Sequence, residues 1–104
     1  MAEFVLLYTG GGMPESEEEQ AKVMQAWNDW YGAISASLKD GGNPFGRAKT
    51  VGGDGSVKDG AKGTLFTGFT IVSSASLETA ADIAKGSPVL QNGGSVTVYE
   101  VVEM

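Results

Sequence analysis

The 104 residues include no histidine, no cysteine, only three prolines and a single arginine, Arg47. Each absence removes chemistry. Without cysteine there is no disulfide, thiolate nucleophile, cysteine zinc site or iron–sulfur ligand. Without histidine there is no Ser-His-Asp triad, no His-ligated metal and no imidazole acid or base. Cationic residues are also scarce: seven Lys and Arg stand against 13 Asp and Glu, a net charge of −6. That sign argues against a general nucleic-acid binder. No apolar run approaches the roughly 20 residues of a membrane span. The start, Met-Ala-Glu, lacks the basic and long apolar regions of a secretory signal. The expectation is a cytoplasmic protein with no nucleic-acid or membrane partner, no metal and no cofactor.

What is present suffices for a folded core. The apolar share is 41% and the charged share 19%, too little charge for a disordered chain. The length fits one domain over residues 1–104. A chain this short buries only about two thirds of its unfolded surface, so self-association would help it.

Phe4-Val5-Leu6-Leu7-Tyr8-Thr9 is short, apolar and rich in strand formers, and it lacks strict alternation, so both faces are expected to be covered. Gly10-Gly11-Gly12 ends it and Met13-Pro14 leads onward. Ser16 and Glu19 have capping-box spacing, and Glu15, Glu17 and Glu18 suit the positive end of a helix dipole. Val23, Trp27, Trp30, Ile34 and Leu38 then recur at helical spacing, predicting a long helix that ends near Lys39 before Asp40-Gly41-Gly42. Residues 42–63 hold seven glycines. Residues 47–51 read as a weak strand and the Asp54-Gly55 and Asp59-Gly60 turns suggest a hairpin. Residues 64–73 read as a strand, with Gly68 marking a bulge or a close approach. Ser76 caps a short helix over 77–85, in which Leu77, Ala80, Ala81 and Ala84 share a face. Residues 95–102 form the last strand. The order β, long α, weak β, β, short α, β is the ferredoxin-like α+β pattern, an antiparallel sheet with two helices on one face. The other face would be open and apolar, which two copies would cover by packing together.

Candidate site residues follow from chemistry. Trp27, Trp30 and Tyr31 on the long helix would form an aromatic wall for a planar ligand, or simply fill the core. Tyr8 at the end of the first strand would place a phenol at a pocket mouth. Arg47, Lys49, Lys58 and Lys62, less Asp54 and Asp59, give residues 47–62 a local charge of +2. Such a mouth would hold a carboxylate or phenolate, with the planar fork of Arg47 best suited. Asp59 joins Asp29, Tyr8 and a desolvated lysine as the available acid/base groups. The three glycines before the long helix do not make a phosphate loop, because the acidic run at 15–19 would repel the anion.

Several segments carry a resemblance. Phe4-Val5-Leu6-Leu7-Tyr8, Asp59-Gly60, Thr67-Gly68-Phe69-Thr70-Ile71-Val72, Ser76-Leu77-Glu78-Thr79-Ala80, Ile83-Ala84-Lys85-Gly86-Ser87-Pro88 and Gly93-Gly94-Ser95-Val96-Thr97-Val98 resemble the YCII-related, or DGPF-domain, family. The resemblance implies a dimeric α/β barrel, two ferredoxin-like subunits joined through their sheets. It also implies, for some members, a dehalogenating or lyase-like activity that uses a His-Asp pair. This chain departs there, having no histidine, and it reads Asp59-Gly60-Ala61-Lys62 where the naming motif has Pro and Phe after Asp-Gly. Other members accompany extracytoplasmic sigma factors, which would imply a regulatory role. The reading that results is a homodimeric small-molecule binding or sensing protein. Its pocket lies between helix and sheet, and its ligand is small and anionic or aromatic. The alternatives are a lyase- or isomerase-type enzyme without His or Cys, and an interaction module tied to transcription regulation.

Overall fold

The computed structural model describes residues 2–11 and 14–104, so Gly12 and Met13 of the linker lie outside the described residues. Strand β1 (Ala2–Thr9) is followed by helix α1 (Glu17–Ala33), strand β2 (Leu38–Asp40), the short strands β3 (Lys49–Val51) and β4 (Val57–Asp59), strand β5 (Gly68–Ser74), helix α2 (Leu77–Ala84), a 3-10 turn (Pro88–Asn92) and strand β6 (Ser95–Glu100). The main sheet has the order β2-β5-β1-β6, with every neighbouring pair antiparallel. This is the ferredoxin-like α+β arrangement. β1 is central, opposing Phe4 to Val72 on one side and Leu6 to Val98 on the other.

Alternation sets the layers. Phe4, Leu6 and Tyr8 of β1, with Thr70 and Val72 of β5, are buried on one face. Ala80 and Ala84 of α2 and Val89 of the 3-10 turn join them, with Trp27, Ile34, Ile83, Val96 and Val98 packed around the edge. Small alanines let α2 approach the sheet closely, while Leu77, expected on that face, is 45% exposed. The α2 N-terminus carries a complete capping box between Ser76 and Thr79. At α1 the Ser16 hydroxyl accepts from the Glu19 N–H at 3.1 Å, satisfying one orphan donor of the first turn.

Three expectations are corrected. The long helix stops at Ala33, not near Lys39, and Leu38 belongs to β2 opposite Val72. Ile34 and Leu38 mimic a helical repeat, but Ser35 and Ser37 between them favour turns over helix. The chain reverses there through the Ser37 N–H and Leu38 N–H, which donate to the Ile34 carbonyl at 2.8 and 3.0 Å. Residues 47–51 therefore do not supply the second strand of the main sheet. β3 pairs only with β4, in a separate two-stranded sheet closed by the Asp54-Gly55 turn. This hairpin extends the molecule: its radius of gyration is 15.1 Å, against about 13 Å for a compact chain of this length. The strand read over 64–73 begins later, at Gly68. Gly68 is a place of close approach: a Cβ there would lie 3.2 Å from the Asn43 carbonyl oxygen and 3.3 Å from the Pro44 Cα.

Candidate binding cavity

A cavity of about 460 Å³ opens between α1 and the end of the sheet. Its wall is Val23, Met24, Trp27, Asn28 and Tyr31 from α1. Its floor is Tyr8 and the 41–44 and 67–69 segments, which the turn after β2 and the start of β5 bring together. The Phe45 N–H donates to the Thr67 carbonyl at 2.8 Å and holds these two segments in register.

Helical geometry separates the aromatic residues. Trp30 and Tyr31, three and four positions after Trp27, flank it on either side, with ring centroids 5.7 and 5.8 Å from its own. Of the three, Trp27 and Tyr31 line the cavity and Trp30 does not. Trp30 is only 6% exposed, and its indole N–H donates to the Ile83 carbonyl at 3.4 Å, beside Gly86. Trp27 meets the Tyr8 ring edge-on, with centroids 5.3 Å apart. Both Trp27 and Tyr8 of the expected site therefore reach the cavity.

Arg47, Lys49 and Asp59 lie elsewhere. Lys49 and Asp59 pair with each other across the hairpin at 2.6 Å, both exposed. Arg47 precedes the hairpin and is exposed. Asp59 lines a second hollow of about 390 Å³ between the hairpin and residues 60–62, whose surroundings are all exposed except Thr50. No Lys, Arg, Asp or Glu lines the α1 cavity among the described residues. Nor do the described residues contain a cluster of three or more acidic side chains placed to hold a metal ion.

A hydroxyl network underlies the floor. The Tyr8 hydroxyl donates to Thr70 Oγ1 at 2.6 Å, and the Thr70 hydroxyl donates to the Gly41 carbonyl at 3.0 Å. The Tyr31 hydroxyl donates to the same carbonyl at 3.1 Å. Thr70 is completely buried and belongs to the strand face that packs under α1. Sequence alone carries no signal for Thr70 or the Gly41 carbonyl, since the pairing spans 29 residues and depends on where β2 begins.

Burial pushes the Tyr8 phenol up to about 12; its hydrogen bonds to Thr70 and Ser87 oppose that rise, and the nearby Tyr31 phenol adds to it. Burial likewise raises Tyr31, against its hydrogen bond with Thr70. Tyr8 is therefore neutral at physiological pH, and its proton stays in the network. A folded-state value above the unfolded one means the native state holds the proton more tightly between the two. Stability is thus full below pH 10 and falls as pH rises towards 12, by about 2–3 kcal/mol. Urea unfolding at pH 9, 10.5 and 11.5 checks this: Tyr8→Phe should remove that part of the slope, and an unchanged slope would contradict the burial effect.

The comparisons with known proteins fit this architecture. The YCII-related domain model matches residues 4–104. The chain belongs to the YCII-related family. A solved structure of 5-chloro-2-hydroxyhydroquinone dehydrochlorinase from Burkholderia phenoliruptrix AC1100, in complex with 2,5-dihydroxybenzoquinone, superposes with a TM-score of 0.59 at 15% identity. The match covers 98% of this chain and 95% of that one, so the two share a fold throughout. No curated protein sequence matches the chain. Among the described residues, no helix is long and apolar enough to cross a membrane.

Proposed function

We propose that this YCII-related chain is a small-molecule binding protein whose α1 cavity takes a neutral, planar aromatic ligand. The observation that carries this reading is the lining: Trp27 and Tyr31 offer flat apolar surface, Tyr8 and Tyr31 offer phenols, and no charged side chain accompanies them. Such a site favours stacking with a few polar contacts over capture of an ion. That narrows the expected ligand from anionic or aromatic to neutral aromatic. The fold relative's complex with a dihydroxybenzoquinone is a further support, since that ligand is small, planar and oxygenated. The lining favours binding over acid/base catalysis, because its ionisable side chains are tyrosines held neutral by burial.

Calorimetric titration with phenols, naphthols and benzoate tests the proposal. A neutral aromatic should bind in the micromolar to millimolar range, and Trp27→Ala should weaken it about tenfold by removing the stacking surface. Failure of every neutral aromatic to bind at millimolar concentration would end the reading, as would benzoate binding more tightly than phenols.

The same proposal includes a homodimer. Opposite the helices, Val5, Leu7, Phe69, Ile71 and Tyr99 share a face, with Val5 flanked by Ile71 and Tyr99 and Leu7 beside Phe69. Tyr99 is 53% exposed and Phe45 stacks on Phe69 with centroids 5.7 Å apart. A contiguous apolar face on so small a domain calls for a cover, and a second copy supplies one of matching chemistry.

A further inference from the structure

We propose that the cavity reads ligand hydroxyl hydrogens: it takes its aromatic ligand as a phenol or hydroquinone whose O–H donates to the Tyr31 phenol oxygen, in preference to a quinone. This deepens the binding reading above and rests on it. The argument is one of proton direction. A backbone carbonyl accepts hydrogen bonds and has no hydrogen to return. Two hydroxyls converge on the Gly41 carbonyl, from Thr70 at 3.0 Å and from Tyr31 at 3.1 Å. Tyr31 also lies beside Thr70, but Thr70 Oγ1 is already the acceptor of the short Tyr8 hydrogen bond, so the Tyr31 and Thr70 hydrogens are directed at Gly41. The Tyr8 hydrogen is committed too, to Thr70 Oγ1 at 2.6 Å.

The rest of the floor repeats the pattern. The Thr67 hydroxyl faces two carbonyls, those of Gly10 at 3.0 Å and Tyr8 at 3.2 Å. The Gly42 N–H is held by the Asp40 carboxylate at 2.8 Å. The hydroxyl donors around Gly41 are spent within the protein, which leaves lone pairs of the Tyr31 oxygen towards the cavity. Tyr31 is the least buried member of the hydroxyl network, so its oxygen is the one a ligand meets. Among the other polar side chains on the lining, Trp27 adds one N–H, while Asn28 and Asn43 carry amides that accept as readily as they donate. A ligand O–H beside Tyr31 completes the network. A ligand carbonyl there sets lone pair against lone pair, or forces Tyr31 to give up Gly41.

The test compares hydroquinone with 1,4-benzoquinone, two planar ligands of nearly equal size, by anaerobic equilibrium dialysis against the intact protein. Hydroquinone is expected to bind at least tenfold more tightly. Tyr31→Phe keeps the ring and removes the acceptor. It should weaken hydroquinone and, by removing the opposed lone pairs, tighten the quinone, so that the two bind within about twofold of each other. Circular dichroism and a melting curve verify that the variant is folded. If the quinone binds as tightly as hydroquinone, or if Tyr31→Phe keeps the preference, the proton-direction inference falls and the binding reading stands. If neither ligand binds at millimolar concentration, both fall.

Discussion

Replacing Gly42 with alanine is expected to destabilise the protein by about 3–5 kcal/mol. Two costs combine. Gly42 has a φ of +75°, a left-handed conformation that an L side chain adopts only with strain. A Cβ at this position would also lie 1.7 Å from the Phe69 carbonyl oxygen. The obstacle is backbone in β5, so no side-chain rotation relieves it. Either the turn after β2 moves away from β5 or the strand pairing opens. Both changes disturb the floor of the cavity, because Gly42 and Phe69 line it. Gly46→Ala is the control: a Cβ there meets nothing within 4 Å and φ is not positive, so the change should stay within about 0.5 kcal/mol. Urea midpoints of the two variants give the comparison. A Gly42→Ala protein as stable as the parent would show that this turn is not held as described.

The contrast between Gly42 and Gly46 also shows what sequence patterns carry. Both glycines sit in the same glycine-rich stretch and look alike as letters. Only the packing of β5 against the turn separates a required glycine from an incidental one. The strands and helices with strong local signals, β1, α1, α2 and β6, were legible from apolar runs, a helical repeat, serine caps and turn glycines. β2 was not. It is three residues long, and Leu38 continues the spacing of Val23, Trp27, Trp30 and Ile34, so its place in the sheet is a tertiary outcome. The error propagates to the site. With Leu38 assigned to the helix, the turn 41–44 has no neighbour, and the convergence of Gly41, Thr70 and Tyr31 is hidden. The hairpin residues Arg47, Lys49 and Asp59 draw the eye because charge is visible in sequence. Whether a charged residue faces a cavity depends on which sheet its strand joins, and β3 and β4 join only each other.

Val5→Glu is expected to convert a dimer into monomers. Val5 is the centre of the face opposite the helices, between Ile71 and Tyr99. In a two-fold dimer the same patch meets itself, so one substitution introduces two carboxylates at the middle of one interface. Each must be desolvated without a partner, at a cost of several kcal/mol. Dimer affinity should fall at least 100-fold, while the monomer keeps its fold because the new side chain points away from Phe4, Leu6 and Val72. Val5→Thr, of similar shape and uncharged, should retain the dimer within about tenfold. Sedimentation equilibrium from 1 to about 100 μM reads both effects, around the micromolar range in which a specific interface of modest size operates. A parent protein that stays monomeric throughout that range would remove the dimer. A Val5→Glu protein that dimerises as well as the parent would move the interface off this face and leave the apolar patch around Leu7, Phe69 and Ile71 without its proposed cover. The ligand site is separable from this outcome. Its walls belong to α1 and to the segments 41–44 and 67–69 of one chain, so a monomeric Val5→Glu variant that still binds hydroquinone would show that each subunit carries a complete cavity.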